Sequence, residues 1–286
     1  MEGKKNKFRK QVLALILALA VIFPLSLTGV GGSVSVEAAT VALNRTTAMV
    51  TVGQSVKLSL TGAPAARVSW RCRNTNIARV SASGTVKGVG LGKTAAIAVY
   101  KGKEYICAVD VEPTKKMSKA IDKLILVARK EIGYMEKKSL KNLDSKKANA
   151  GYGNYTKYSR DAAPYYQGEP WCAIFVSWCM KEAYGLNKAQ KLLKDWPYIA
   201  CRFLPGYLPS YTVPRKGDIV IFHDGIAYNH TGIVTEVHGK QFWTIEGNTR
   251  KVGEVIPEGY IVCEKSYDLQ KLPDVRFCRP DYTLFQ

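Results

Sequence analysis

Histidine is scarce in this chain: three residues in 286, at His223, His230 and His238. Any chemistry that needs an imidazole has only those places to find it. Acidic side chains are also few, 23 Asp and Glu against 42 Lys and Arg, which leaves a net charge of +19. Such an imbalance favours an anionic partner. Outside a cell, teichoic acids or other wall polyanions fit that charge better than nucleic acid does. Asp218 and Asp224 are isolated acids, and "DGIAYN" at 224–229 is too poor in carboxylates for a calcium loop. Internal repeats and low-complexity tracts are absent, so repeat arrays are excluded. After the first 36 residues there is no second long apolar run and no C-terminal sorting motif.

What is present at the N-terminus is a basic stretch, "KKNKFRK" (4–10), an apolar run, "VLALILALAVIF" (12–23), and small residues in "VSVEAAT" (34–40). Basic head, short apolar segment and small-residue exit describe a secretory signal peptide over 1–39, with cleavage near Ala38 or Ala39. The run is shorter than the ~20 residues of a spanning helix. A stable membrane partner is therefore expected only if the segment stays uncleaved. The first 38 residues carry five basic and two acidic side chains, so a mature chain keeps about +16. The expected location is extracellular and wall-associated, and the expected state is monomeric. An oxidising compartment lets cysteines pair, yet seven is an odd number and leaves one thiol over.

Residues 40–112 read as short strands separated by turns, as in "AMVTVGQSVKLSL" and "GTVKGVGLGKTAAIAVYKGKEYICAVDV", which predicts a small β-sandwich. Cys72 follows the Trp70 strand and Cys107 lies in the last one. A bridge between them is expected to compensate for so thin a core. "PTKKMSK" (113–119) reads as a polar linker, and 120–286 as a second domain. There "KAIDKLILVARKEIG" (119–133) has helical spacing and a glycine stop. A second helix is expected from near Pro170 to about Tyr184. Strands follow at 218–222, 231–237, 241–246 and 260–264. Helices first and an antiparallel sheet after them predict an α+β domain.

Within "GEPWCAIFVSWC" (168–179) two cysteines lie seven residues apart. Pro170 suits a helix start, which puts Cys172 in the first turn, where free N–H groups favour a thiolate. Cys179, two turns deeper, reads as a small packed hydrophobe. A reactive thiol needs a base. His223 and His238 read as turn or loop residues, whereas His230 opens the strand "HTGIV". Its orienting partner depends on hairpin register. If "HGK" (238–240) is a three-residue loop, His230 faces Asn248 and shares one side of the sheet with Glu246 and Asn248. A two-residue "HG" loop turns both away.

Two resemblances add to this reading. "VSWRCRNTNIARVSASGTVKGVGLGKTAAIAV" (68–99) resembles the second group of bacterial Ig-like domains, implying a surface- or wall-facing module without chemistry of its own. "EPWCAIFVSWC", "PRKGDIVIF", "NHTGIV" and "TIEGNT", in that order, resemble the CHAP family, as does the lead-in "EIGYMEK…NYTKYSR". That resemblance implies a papain-like α+β domain with helices packed on an antiparallel sheet. It also implies cleavage of amide bonds in peptidoglycan, by an N-acetylmuramoyl-L-alanine amidase or a peptide endopeptidase. By motif position, Cys172 is the nucleophile, His230 its base, Glu246 the residue that orients the imidazole, and Asn248 a further polar residue of the site. Gln167 or Tyr166 are candidates to help hold an oxyanion, and the aromatic-rich 154–171 either walls the cleft or covers the helix start. No metal or cofactor is required. Residues 251–286 have no clear family counterpart, and Cys263 and Cys278 are expected to pair with each other or with Cys201. Two other functions compete: a non-catalytic wall or surface adhesin, and a cysteine peptidase or amidase acting on a non-wall substrate.

Overall fold

The computed structural model describes residues 40–251, 260–272 and 274–286; the expected signal segment, 1–39, lies outside them. The N-terminal part is all strand: β1 (Ala42–Leu43), β2 (Thr47–Thr51), β3 (Ser55–Lys57), β4 (Leu60–Thr61), β5 (Ser69–Cys72), β6 (Ala78–Val80), β7 (Thr85–Gly88), β8 (Gly92–Tyr100) and β9 (Lys103–Glu112). They pair in the orders β2-β9-β8-β5 and β3-β7-β6, with β1 and β4 as a separate pair. Alternation decides which side chains turn inward: in β2, Ala48 and Val50 are buried while Met49 between them is exposed. Leu58, Ile77, Val86, Val109 and Val111 complete the filling between the sheets.

The expected Cys72–Cys107 bridge is not formed, and the register gives the reason. Cys72 faces Ala96 in β8, and Ala96 faces Cys107 on its other side. A whole strand separates the two cysteines. With strands ~4.8 Å apart, their Cα atoms stand about 10 Å apart, beyond the ~7 Å that a disulfide spans. All seven cysteines are free thiols, so the pairing expected of Cys201, Cys263 and Cys278 is also absent.

Strand β9 passes almost directly into helix α1 (Lys115–Lys130). Only Pro113 and Thr114 intervene, so most of the expected linker is helix. The Thr114 side chain accepts the Met117 N–H at 3.2 Å, an N-cap that starts the helix four residues before the reading from hydrophobic spacing. Its inward face, including Met117, Ile121, Leu124 and Ile125, belongs to an apolar cluster that runs unbroken from the sandwich into the second domain. Among the described residues four more α-helices follow, α2 (Lys157–Ala162), α3 (Cys172–Tyr184), α4 (Leu186–Leu193) and the short α5 (Leu204–Tyr207). No helix among the described residues is long and apolar enough to cross a membrane.

The helices pack on an antiparallel sheet of β10 (Ser210–Tyr211), β11 (Ile219–His223), β12 (Tyr228–His238), β13 (Gln241–Thr249), β14 (Ile261–Asp268) and β15 (Val275–Cys278). The spatial order is β10-β15-β11-β12-β13-β14. Its period-2 pattern sends Ile219, Ile221, Ile233 and Ile245 toward the helices and Val220, Val234, Phe242 and Phe277 into a second cluster on the other face. Both terminal strands come from the stretch without a family counterpart: β14 flanks β13, and β15 inserts between β10 and β11. The first domain is thus an all-β sandwich and the second α+β.

Charged groups tie the two domains together. The Arg279 guanidinium donates to both oxygens of Asp218 at 2.7 Å and to the Leu91 carbonyl of the sandwich at 2.9 Å. Arg215 donates its N–H to Asp218 and pairs through its guanidinium with Asp110 and Glu112 at the end of β9. Asp218, isolated in sequence, is the buried hub of this seam. Burial raises its carboxyl, and Arg279, its largest opposing influence, lowers it. Removing one partner of a buried ion pair strands the other, at a cost of about 3–5 kcal/mol. Asp218→Ala is therefore expected to lower the unfolding free energy by about that amount in a denaturant titration; a loss below about 1 kcal/mol, the range of exposed pairs, would contradict the assignment.

Candidate active site

The first residue of α3 is Cys172, two positions after Pro170, and Trp171 occupies the N-cap without a capping side chain. What holds the helix start is aromatic packing. Trp171 is fully buried against Tyr134, Tyr158 and Phe175, and its Nε1–H donates to Glu136 Oε2 at 2.9 Å. The other Glu136 oxygen accepts the N–H groups of Gly153 and Asn154, so the loop between α1 and α2 is pinned to the same point. Gly185, at φ 79°, ends the helix where expected. Cys179 is fully buried, and burial pushes its thiol well up.

Of the three histidines, His230 alone meets a buried carboxylate. His223 accepts a backbone N–H in a turn, at Nδ1, and His238 sits exposed at the hairpin end beside Trp243. The Nε2 of His230 lies 2.9 Å from Glu246 Oε2, and its ring is stacked near Phe222. Glu246 is wholly buried, yet every lone pair is used. Thr244 and Tyr267 donate to Oε1 at 2.6 and 2.8 Å, Thr249 donates to Oε2 at 3.3 Å, and Lys265 Nζ is 3.6 Å from Oε2. Burial would raise this carboxyl, but the bond to His230, the charges of His230 and Lys265 and the Thr244 hydroxyl together hold it down at about 2.

The register that brings His230 to Glu246 arises in an unexpected way. The hairpin loop is neither of the two considered above: His238 pairs with Gln241, so Gly239 and Lys240 form the turn. By itself this turn would misplace the histidine. A bulge at Thr235 sets two residues of β12 against one of β13 and moves the pairing back to Val234–Thr244 and Ile233–Ile245. Continued, that register is the one a three-residue loop would have given, with His230 opposite Asn248. The two strands then part. From Glu246 onward β13 pairs only with β14, through a second irregularity in which Asn248 takes a left-handed φ of 51°. Two glycines make room. A Cβ on Gly232 would stand 2.6 Å from Glu246 Cγ, and one on Gly247 would stand 2.7 Å from Phe175 and Trp171.

The backbone N–H groups of Ala173 and Thr231 favour the anion of the Cys172 sulfur, and Thr231 is the residue next to His230. The side chain that perturbs it most is Cys201. That neighbouring thiol, together with burial, raises Cys172 well above an ordinary thiol, while Cys172 in turn lowers Cys201. Among the described residues no hydrogen bond joins Cys172 to His230. Both thiols line an open cleft of about 530 Å³ with Tyr165, Tyr166, Arg202 and Asn229. Tyr165 is 96 % exposed there. The aromatic segment 154–171 therefore divides: Tyr158 and Trp171 are core, Tyr165 and Tyr166 are cleft wall. Gln167 is not aimed at the site, because both ends of its amide are taken by the backbone of Thr156.

Sequence reading missed Cys201, Lys265 and Tyr267. The last two had a signal: Cys263, Lys265 and Tyr267 alternate along β14, and Cys263 faces Glu246. Cys201 had none, since it lies on a single 3-10 turn, Cys201–Phe203, outside any periodic element.

The α+β domain thus holds a cysteine at a helix start and a histidine–carboxylate pair on its sheet. The family model that matches here is the CHAP domain, over residues 164–248, and a bacterial Ig-like domain (group 2) matches residues 37–116. The chain thus carries a match to a bacterial Ig-like domain followed by a match to a CHAP domain. No curated protein matches it. Among solved structures, domains 4 and 5 of the S-layer protein SbsC share 27 % identity over 25 % of this chain and 50 % of theirs, with a TM-score of 0.21. The structure described as Ly7917 shares 14 % over 56 % of this chain and 62 % of its own, with a TM-score of 0.32. This chain spans half or less of the S-layer structures it resembles.

A carboxyl held at about 2, below the ordinary ~4.3, is worth about 3 kcal/mol of stability near neutrality. Because the shift is downward, that stability is complete above the ordinary carboxyl range and fades as pH falls from about 4 toward about 2. Glu246→Gln is expected to unfold more easily than the wild type at pH 7 and to approach it at the acid end; a gap independent of pH would show that the buried charge is not its source. Gly247→Ala is expected to lower the melting temperature by driving a methyl group into Phe175 and Trp171, with thermal unfolding as the measurement.

Proposed function

We propose that this protein is a cell-wall hydrolase that acts outside the cell and cleaves amide bonds in peptidoglycan by a Cys–His–Glu mechanism. CHAP domains are in general cysteine amidases or endopeptidases. The observation that carries the reading for this chain is the buried Glu246 carboxylate bonded to His230 Nε2 at 2.9 Å, next to Thr231, whose backbone N–H favours the Cys172 thiolate. Glu246 fixes the ring so that Nδ1 is the nitrogen left for chemistry.

In the reaction Cys172 releases its contact with Cys201 and gives its proton to His230 Nδ1. The thiolate attacks the amide carbonyl of a wall peptide, and the resulting oxyanion is stabilised by the free backbone N–H groups at the start of α3. The imidazolium, stabilised by Glu246, returns the proton to the leaving amine as the C–N bond breaks. Water then attacks the thioester, with His230 taking its proton, and a carboxylate is released. Tyr165 and Tyr166 offer flat faces to the sugar or peptide chain in the cleft. The net charge of +19 suits anionic wall polymers, and the sandwich serves as the wall-facing module.

Purified peptidoglycan incubated with the full chain under mildly reducing conditions is expected to release new amine termini, and muropeptide mass spectrometry identifies the bond. Cys172→Ala should reduce the rate by about 10³-fold or more with an unchanged melting temperature. Equal release by the variant would overturn the enzyme reading in favour of a binding protein. Activity on peptides but none on wall material would overturn the substrate.

A further inference from the structure

The seven cysteines of the chain are not equivalent. Cys72 and Cys107 are held a strand apart. Cys179 is sealed in the core, and Cys278 is buried with its thiol pushed to about 12. The Cys263 sulfur contacts the Arg250 carbonyl at 3.6 Å on β14. Cys172 and Cys201 differ from all of these: both line the same cleft, and each thiol perturbs the other. Cys201 also contacts the Tyr228 carbonyl at 3.2 Å, which anchors its 3-10 turn to β12, the strand that carries His230. The free N–H groups of Ala173 and Thr231 stabilise negative charge on the Cys172 sulfur, and those of Cys201 and Arg202, with the Arg202 charge, do so at Cys201. Two neighbouring thiols that line one cleft, each beside groups that stabilise its anion, are the arrangement in which a disulfide forms faster than deeper oxidation.

We propose that Cys172 and Cys201 form an oxidation-sensitive dithiol, in which a hydroperoxide or a low-molecular-weight disulfide joins the two sulfurs and caps Cys172 reversibly. With a hydroperoxide, the Cys201 thiolate attacks the peroxide oxygen and the O–O bond breaks, giving a sulfenic acid and a hydroxide or alkoxide that takes the proton Cys201 released and leaves as water or alcohol. The Cys172 sulfur then displaces the sulfenic oxygen, which leaves as water with the Cys172 proton. Two thiols have supplied two electrons to one peroxide bond. With a small disulfide, Cys201 displaces one thiol, Cys172 displaces the second, and two small thiols are released. A dithiol reductant reverses either route. The bond itself does not depend on Cys172 being a nucleophile toward the wall; only its consequence for activity does.

The test uses the full reduced chain, freed of reductant, treated with a slight excess of hydrogen peroxide or of oxidised glutathione, alkylated in acid and digested with trypsin. The expected product is a cross-link between residues 161–181 and 195–202, lighter by two hydrogen atoms than the two peptides, with fragmentation placing the bond on Cys172 rather than Cys179. Hydrolytic activity should be lost in step and return with dithiothreitol. In Cys201→Ala, Cys172 should instead advance to the sulfinic acid and no longer be recovered by dithiothreitol. Over-oxidation of Cys172 in the wild type without the cross-link, a cross-link to another cysteine, or full recovery of the Cys201→Ala thiol would each overturn the proposal. The peptide map decides the matter even for a variant that folds poorly or a wild type inactive on wall material, so a failure here is distinct from a failure of the proposed function.

Discussion

A single buried negative charge sets the terms for the second domain. Moving a carboxylate out of water costs several kcal/mol unless hydrogen bonds and counter-charge replace its hydration, and Glu246 obtains them from three strands. His230 comes from β12, Thr244 and Thr249 from β13, and Lys265 and Tyr267 from β14. Gly232 and Gly247 leave the space in which the side chain and its strand fit. The charge explains why β14, from the stretch with no clear family counterpart, lies where it does. Without its lysine and its phenol, Glu246 would have partners on one side only.

Much of this was legible from sequence, for identifiable reasons. The α1 and α3 spacings, the glycine stops and the strand alternation are local signals, and the structure follows them. The all-β and α+β division follows from their order. The register was half legible. A turn of two residues and a bulge of one each shift the pairing, and sequence patterning does not separate a loop residue from a bulge residue when both lie in "VTEVHGKQF". Here the two shifts compensate. The disulfide expectation failed because sequence position says which strands hold cysteines but not whether a third strand lies between them. Helix α1 began early because Thr114, a capping residue, lies outside the apolar pattern that was used to locate the helix.

Cys172 illustrates a different limit. A helix start argues for a stabilised thiolate, and the backbone N–H groups of Ala173 and Thr231 do favour the anion. Yet the thiol of Cys201, 29 positions away, raises it, an effect no local motif carries. Donors that stabilise the anion and a neighbouring thiol that opposes it act on one atom. Their balance, rather than the helix alone, governs how readily that sulfur loses its proton.

The seam between the domains has a mechanical consequence. Two residues connect β9 to α1, an apolar cluster crosses the boundary, and Asp218 with its two arginines fastens it from the side. A sandwich attached in this way is an outrigger rather than a tethered float. Whatever polymer rests against it meets the cleft at one fixed offset and angle, so reach along a substrate is set by the dimensions of the body itself, and any searching motion has to move the whole molecule.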